Sequence, residues 1–405
     1  MTRRHAGRGQ ALSARLRALS VVCSLALSSS ASSAHDANRV HTLIVGRGSA
    51  LAACDGLNAS NDNRARGRFP LNPELAFRVR LPGGIGQAPA SDAAGDLIIA
   101  HVEPRLSKLD AKGRTLWSER LPSEASCAPV LTSDGSILIV TRDGDALLFS
   151  SAGRLEKRRA LPVADPRRHT LAIPTASGGA LVACGSDLLQ LDREAQIVRQ
   201  TSGKGNISAL AESSAGLVAV GENGSVELGR ASGDFTLAGS FGGAVPEGAA
   251  VQAGKVLAVV DAHRWLSLDL STGQVVTLAS DAALAFSGPA AVLETGGAAL
   301  VADSGFVSLR ARDGAETQRV LISAARQAVD PALRNLRPAR LIGDSAGAVA
   351  VVQSGNDALV LGPDGNAVRL DGTSCLDPFR PTPTPSGLVF SCRSGQLFGV
   401  SGKAP

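Results

Sequence analysis

Short apolar runs separated by turn residues recur along most of this chain. One stretch, 128–161, contains three largely apolar runs and a final amphipathic run, at 128–132, 137–141, 146–150 and 155–161. Asp-Gly or Ala-Gly pairs separate these runs, and such pairs supply the positive φ that tight hairpins require. The pattern predicts four consecutive antiparallel strands. The wholly apolar second run suits a buried strand, and the charged run Glu156–Arg159 suits an exposed outer strand that is protected from edge pairing.

The same turn-then-strand unit appears eight times. A proline stands six residues before the turn glycine in three copies, at Pro89, Pro129 and Pro381, and more loosely at Pro174. The turn glycines are Gly95, Gly135, Gly179, Gly216, Gly254, Gly297, Gly347 and Gly387. Their average interval of about 42 residues lies in the range of four-stranded propeller blades. The sequence therefore predicts an all-β, eight-bladed β-propeller of four-stranded antiparallel blades.

The last unit ends one strand short, after Val400. A strand-like segment, Glu74–Leu81, precedes the first complete unit and ends in Leu-Pro, as the fourth runs end at Leu121-Pro122 and Leu161-Pro162. We therefore expect this N-terminal strand to complete the last blade and close the ring. An open solenoid is the structural alternative, and the strand at 74–81 argues against it because a closed ring leaves no long edge exposed.

A known family shares these features. Leu109, Asp110, Gly113 and Trp117 resemble the PQQ-type repeat of quinoprotein β-propellers, and Leu268–Gly273 and Leu361–Gly365 are similar without the Trp. The resemblance implies a propeller and leaves function open. Some members are dehydrogenases that hold pyrroloquinoline quinone and calcium in the central channel. Another, the propeller of the outer-membrane β-barrel assembly lipoprotein, is similar in blade number and export.

The N-terminus reads as a secretory signal peptide over residues 1–34. Five arginines are followed by an apolar stretch, Ala18–Leu27, and then by small residues up to Ala34. The apolar stretch is shorter than the roughly 20 residues that span a bilayer. We expect a signal peptide (1–34), an N-terminal extension (35–72) and the propeller (73–405) of a protein exported to the periplasm, cell surface or exterior. Lipid attachment at Cys23 and a twin-arginine signal at Arg3-Arg4 are weaker alternatives.

The net charge of +5 belongs to the leader, because its five arginines account for the whole excess of basic residues. A nucleic-acid-binding protein needs Lys and Arg to displace counterions along a phosphate backbone. The remainder of the chain is neutral, so we expect no nucleic-acid partner.

Export makes disulfides possible among the five cysteines beyond the leader: Cys54, Cys127, Cys184, Cys375 and Cys392. The closing strand would bring residues near 54 close to the final blade, so the favoured pair is Cys54 with Cys375. Cys184 and Cys392 take equivalent positions in different blades and are expected to be separate buried thiols. The sequence has no Cys-x-x-Cys spacing for zinc.

The search for catalytic residues returns none. His101, His169 and His263 are isolated and are predicted to lie in loops or on the surface, while Trp117 and Trp265 are predicted to pack within and between blades. Gly46 and Gly48 lack the residues that complete a phosphate loop. The segment Asp55–Asn63 lacks the acidic spacing of a calcium loop. We therefore assign no catalytic, cofactor-binding or metal-binding residue and no cofactor.

These observations favour a non-catalytic, monomeric, exported propeller that binds protein partners of the cell envelope. Its partner surface is expected on the longest connections, Val163–Thr170 and Ile322–Arg337, where 324–336 has weak helical character. Two alternatives remain open. One is a PQQ-dependent dehydrogenase-like or other small-molecule enzyme that uses the central channel, and the other is a carbohydrate- or ligand-binding propeller.

Overall fold

The computed structural model describes residues 65, 68–70, 72–163, 170–203, 205–230, 234–246, 248–282, 285–293, 295–302, 306–321 and 339–402. Their strands form eight four-stranded antiparallel sheets arranged in a ring. The predicted eight-bladed all-β propeller is therefore confirmed. No helix among the described residues is long and apolar enough to cross a membrane. The signal peptide and most of the extension lie outside the described residues.

Each blade is a meander in which consecutive strands pair, and the blades follow one another along the chain. The strands of blades 1 to 4 are β2 (Ala90–Ser91), β3 (Leu97–Ala100), β4 (Arg105–Leu109), β5 (Thr115–Arg120), β6 (Val130–Leu131), β7 (Ile137–Val140), β8 (Asp145–Phe149), β9 (Leu155–Ala160), β10 (Thr170–Pro174), β11 (Ala180–Cys184), β12 (Asp187–Leu191), β13 (Ile197–Ser202), β14 (Ile207–Ser213), β15 (Gly216–Gly221), β16 (Ser225–Gly229) and β17 (Phe235–Ser240).

Blades 5 to 8 continue the order, and blade 8 also takes β1 (Pro73–Arg80) from the start of the domain. Their strands are β18 (Ala249–Gln252), β19 (Lys255–Val260), β20 (Arg264–Asp269), β21 (Val275–Ser280), β22 (Phe286–Val292), β23 (Ala298–Ala302), β24 (Phe306–Arg310), β25 (Glu316–Leu321), β26 (Arg340–Gly343), β27 (Val349–Val352), β28 (Ala358–Leu361), β29 (Ala367–Leu370), β30 (Thr382–Thr384), β31 (Gly387–Ser391) and β32 (Gln396–Gly402).

Burial follows strand order within a blade. The second strands are nearly all buried, as in β3 and β7, whereas the fourth strands such as β9 are largely exposed. A strand buried on both faces reads as a continuous apolar run, and a strand at the rim carries polar residues. The predicted strands of 128–161 agree with β6 to β9 within one or two residues at most ends, and the charged run at 156–159 lies on the exposed outer strand.

The N-terminal strand closes the ring as expected. β1 pairs antiparallel with β32, from Pro73 opposite Gly402 to Arg80 opposite Gln396. The first strands of blades 1 and 8 are also joined, since Ser91 Oγ donates to the Pro383 carbonyl at 2.6 Å and Thr382 Oγ1 to the Pro89 carbonyl at 3.3 Å. The junction between blades 8 and 1 is thus closed twice. At the rim β1 pairs with β32 and leads directly into blade 1, and at the inner edge two hydroxyl groups join the first strands.

The residues just before β1 strengthen the neighbouring junction between blades 7 and 8. The Phe69 amide donates to Asp344 Oδ2 at 2.7 Å, and the Ala65 amide donates to the Gly343 carbonyl at 2.8 Å. Phe69 is buried among apolar side chains of both blades. Asp344 is itself buried, and its other carboxylate oxygen accepts the amides of Ala346 and Ala348 at 2.8 Å. The closing segment is therefore anchored before the strand itself begins.

One register position of the fourth strand links four blades to the next blade. Trp117 Nε1 donates to the Ser151 carbonyl at 3.1 Å, and a Cβ on Gly153 would lie 2.6 Å from the Trp117 ring. At the equivalent position, Lys157 pairs with Glu194 at 2.8 Å, Arg199 donates to the Arg230 carbonyl at 3.0 Å, and Gln318 donates to the Gly365 carbonyl at 3.4 Å. Trp117 therefore packs between blades, as predicted, and different side chains make the corresponding contact elsewhere.

Candidate interaction face

The two sides of the ring differ in their connections. One side, the turn face, carries the tight turns between first and second strands and between third and fourth strands. The other, the loop face, carries the second-to-third connections and the longer links from one blade to the next. The tight turns satisfy their own polar groups; in one of them Asp92 Oδ1 accepts the amides of Ala94 and Asp96, each at 3.0 Å. Variation in the length of the connections is therefore found on the loop face, which makes it the candidate interaction face.

The link between blades 7 and 8 presents the most exposed large apolar side chain among the described residues. This link, residues 371–381, is called the Leu376 loop below. The Leu376 side chain is 74% exposed, whereas the flanking Cys375 and Asp377 are only partly exposed. Single exposed apolar side chains are common on protein surfaces, and Leu376 becomes a candidate contact residue because the loop that carries it is held in place.

The backbone on both sides of Leu376 is held by neighbouring connections. The Gly355 amide donates to the Cys375 carbonyl at 2.7 Å, and Ser354 Oγ donates to the carbonyl of Leu376 itself. On the other side, the Arg393 amide donates to the Asp377 carbonyl at 2.9 Å. Residues from the second-to-third connections of blades 7 and 8 therefore hold the main chain of this loop on both sides of Leu376.

A disulfide between Cys375 and Cys392 completes the attachment, with their Cα atoms 6.1 Å apart. The expected pairing of Cys54 with Cys375 is therefore wrong, and Cys54 lies outside the described residues. The physical reason is local: the Leu376 loop returns along the end of β31, where the Phe379 amide donates to the Ser391 carbonyl at 2.9 Å. This return places Cys375 beside Cys392, so Cys392 is not the separate thiol that the sequence suggested.

Cys127 and Cys184 are buried thiols, which confirms the expectation for Cys184. Burial raises the pKa of the Cys184 thiol to about 11. A thiol with so high a pKa is almost entirely protonated near neutral pH and is a poor nucleophile. Cys184 therefore acts as a small apolar residue of blade 3.

His101 lies in the connection between β3 and β4, as predicted, but its side chain is buried and does not reach the surface. Its ring lies between the Gly84 carbonyl, 3.0 Å from Nδ1, and Ser107 Oγ, 2.9 Å from Nε2. A carbonyl can only accept, so Nδ1 carries the proton and Nε2 accepts from Ser107; Ser107 Oγ is also 2.9 Å from Ser118 Oγ. The network links the loop face to two strands of blade 1, β4 and β5. His263 is exposed, as expected, and His169 lies outside the described residues.

The burial of His101 predicts a pH-dependent loss of stability. Desolvation lowers the pKa of His101 below its ordinary 6.5, so the unfolded chain binds more protons below pH 6.5 and the folded state loses stability as the pH falls. The loss can reach about 1.4 kcal/mol for each pH unit between the two pKa values. We expect His101→Gln to be less stable at pH 8 but to show a shallower decline between pH 7 and 5, as measured by urea unfolding. His263→Gln is the control. An unchanged decline in His101→Gln would contradict this account.

The middle of the ring offers little for chemistry. First strands of neighbouring blades contact each other around the ring, and the charged residues on the described first strands are Glu212 and Arg340. Glu212 Oε2 accepts the Ala176 amide of the preceding blade at 2.6 Å, and burial raises the pKa of this carboxyl. Glu212 therefore contributes to blade packing. Among the described residues, no group of three or more His, Cys, Asp or Glu side chains is placed to hold a metal ion.

The residues present do not fit the pyrroloquinoline quinone site implied by the family's dehydrogenases. Such a site needs an aromatic face in the channel and a pair of adjacent cysteines, and the sequence has no adjacent cysteines. Trp117 is held at the rim by the next blade, and Trp265 is fully buried in the core of blades 5 and 6. The prediction that both tryptophans are packing residues is confirmed.

The candidate face was only partly predictable. Two connections were expected to bind a partner, and most of each, residues 164–169 and 322–338, lies outside the described residues. The same is true of Gly46, Gly48 and 55–63. The Leu376 loop was missed. Its signal in the sequence was a single leucine between Cys375 and Asp377, within a polar, proline-rich segment that connects two strongly apolar blades.

Comparison with solved structures shows the fold. BamB from Moraxella catarrhalis aligns over 81% of this chain and 99% of its own, with a TM-score of 0.61 and 14% identity. The computationally designed Ika8 protein aligns over 82% of this chain and 100% of its own, with a TM-score of 0.64 and 12% identity. A catalytically inactive virginiamycin B lyase from Staphylococcus aureus, solved with quinupristin, aligns over 82% of this chain and 99% of its own. Its TM-score is 0.53 and its identity 12%. No family model and no curated protein matches the sequence.

Proposed function

We propose that this chain is a non-catalytic, protein-binding propeller of the cell envelope, and that the Leu376 loop is part of its binding surface. The observation that carries the proposal is the presentation of Leu376, which is 74% exposed on a loop held by a disulfide and by main-chain hydrogen bonds. A contact residue fixed before binding loses little conformational entropy when a partner covers it.

The ring around this loop suits a scaffold. Short, self-satisfied turns and closed blades give a rigid frame, and the variable connections lie together on the loop face. The structural likeness to BamB supports a propeller of the PQQ-like kind acting by protein contact. The apparent signal peptide at 1–34 and the Cys375–Cys392 disulfide support export, since disulfides persist in oxidising compartments. We further propose the division into signal peptide (1–34), extension (35–72) and propeller (73–405).

Site-specific photo-crosslinking tests the binding surface. A photoreactive amino acid is placed at Leu376 in the full chain, produced in its own host and irradiated before lysis. We expect one discrete protein adduct in high yield. A second substitution, Asp377→Lys, reverses the charge beside Leu376 and should lower this yield. Its melting temperature is measured alongside, to separate a lost contact from a disturbed loop.

Leu116 provides the matched control, because it is a leucine of comparable exposure (53%) on the outer rim of blade 1. The photoreactive residue at 116 should give no discrete adduct. Equal adducts from both positions, or none from 376 in cells that contain the folded protein, would contradict the proposed surface.

A further inference from the structure

Two neighbouring fourth strands differ from the others in charge. Six of the eight outer strands carry at least one charged residue, which is the usual protection of an exposed sheet edge against pairing with another chain. β17 (Phe-Thr-Leu-Ala-Gly-Ser) and β21 (Val-Val-Thr-Leu-Ala-Ser) carry none. Apolar side chains are nevertheless exposed on both strands: Leu237 by 53% and Val276 by 49%. The rim of blades 4 and 5 therefore lacks the first protective device.

The same two strands also differ in where their bulge lies. In blades 1, 2, 3 and 6 the extra residue falls near the start of the fourth strand, as between Thr115 and Trp117 of β5. In β17 and β21 it falls towards the end, at Ala238 and Leu278. A bulge interrupts regular pairing and discourages the addition of a strand. Segments 235–237 and 275–277 are thus regular strand edges, because the bulge that would protect them lies further along each strand.

The displaced bulge also changes how these blades contact the next blade. In the described parts of blades 4 and 5, no side chain of the fourth strand reaches the next blade as Trp117 does. The main chain of the fourth strand lies against a turn of the next blade instead. A Cβ on Gly273 would lie 2.7 Å from the Ala238 carbonyl, and a Cβ on Gly314 would overlap the Leu278 carbonyl. Because β17 lies against the turn that precedes β21, the two uncharged edges belong to neighbouring blades. Together these two strands, residues 235–240 and 275–280, are called the blade 4–5 edge.

We propose that the blade 4–5 edge binds an extended, uncharged segment of a partner protein, which adds to β21 along 275–277 as a fifth strand. β21 is the last strand of its sheet, and a polypeptide strand supplies both the donors and the acceptors that pair with an edge backbone. The lack of charge on the blade 4–5 edge favours a segment whose central residues are β-branched or apolar. Such a segment resembles the alternating Val and Thr of β21 itself.

The shape of the rim argues against the other occupants. A second copy would bring two convex rims together along a few residues, well below the roughly 1,000 Å² of a stable interface. A lipid offers no donor for the carbonyls of the strand edge. A flexible segment can follow the edge and also cover Leu237 of the neighbouring blade. This surface lies on the rim and is separate from the Leu376 loop, so each proposal can fail without the other.

A capped synthetic peptide with a Thr-Val-Thr-Val-Thr centre and terminal lysines provides the probe. Its binding to the full chain is measured by fluorescence anisotropy, and the site is located by hydrogen–deuterium exchange. We expect protection concentrated at 275–278. Val276→Lys should weaken binding at least about tenfold, because it restores the charge that the other outer strands carry. Val198→Lys on β13, which already carries Arg199 and an early bulge, is the matched control and should bind like the parent.

A second peptide, with proline at the two central valines, tests the mode of binding, since proline cannot donate along a strand edge. It should not bind. Three results would overturn the proposal: equal binding of the proline peptide, protection outside the blade 4–5 edge, or no binding of the parent chain at about 1 mM peptide, which corresponds to about −4 kcal/mol. A concentration-dependent dimer that Val276→Lys abolishes would assign the edge to a second copy instead. Both Lys variants should melt within about 2 °C of the parent, as surface changes do.

Discussion

A chain that begins at Leu81 is expected to lose the stable ring, because removal of β1 leaves β32 as an exposed edge in an incomplete blade. β1 supplies the whole outer strand of blade 8, including Phe77, whose ring lies against Gly399, and Arg78, whose guanidinium lies 4.9 Å from the Phe398 ring centroid. The lost burial and pairing amount to at least about 5 kcal/mol, which is comparable to the whole stability of many domains. We expect little soluble protein and no cooperative melting by circular dichroism.

A circular permutant separates the loss of closure from the loss of residues. Residues 73–80 are moved behind Gly402 through an Asn-Gly turn, so that β1 follows β32 as an ordinary hairpin. This permutant should recover most of the stability, apart from the contribution of Phe69 and Ala65. If the truncated chain melted cooperatively within a few degrees of the parent, closure by β1 would not be what holds the ring together.

The second large effect is expected from the disulfide. Cys375 and Cys392 are 17 residues apart, and closing a loop of that size stabilises a fold by about 3 kcal/mol in the chain-entropy account. The suitable variant is Cys375→Ser with Cys392→Ala, because Cys392 is buried among apolar residues and a hydroxyl there would add a separate cost. Urea unfolding should show the loss of about 3 kcal/mol.

Reductant serves as the internal control for this prediction. It should destabilise the parent by a similar amount and leave the double variant unchanged. Amide exchange at Gly355 and Arg393 should also quicken in the variant, because both amides donate to the loop that the disulfide fixes. A parent whose stability is insensitive to reductant would contradict the assignment of this bond.

The fold was predictable because the blade pattern repeats in residues that act locally. A turn glycine followed by a buried apolar run, as at Gly135 and Ile137–Val140, needs no partner from elsewhere in the chain to be recognised. The closing strand was predictable for a similar reason: Glu74–Leu81 resembles a fourth strand, and the last unit lacks one.

What escaped prediction depends on contacts between blades and loops. Trp117 was recognised as a packing residue. Lys157 was assigned only to a charged, exposed run, and nothing in the sequence singled out Arg199 or Gln318, although the register places all four at the same position. The burial of His101 within its loop was not predicted because its partners, Gly84 and Ser107, come from different parts of the chain. Cys392 became the partner of Cys375 through the return path of one loop, which spacing alone does not specify.

The blade contacts described above give the ring a direction. In four blades, a side chain of the fourth strand contacts the following blade; these side chains are Trp117, Lys157, Arg199 and Gln318. Each of these contacts therefore runs from one blade to its successor along the chain. A circular chain of such couplings has no terminal unit from which to fray, and opening must start at a weak link. At the rim, the links after blades 4 and 5 are made by main-chain contact instead of by a reaching side chain. A strand added at the blade 4–5 edge would act there as a clamp, coupling the occupancy of the rim to the mechanical resistance of the whole propeller.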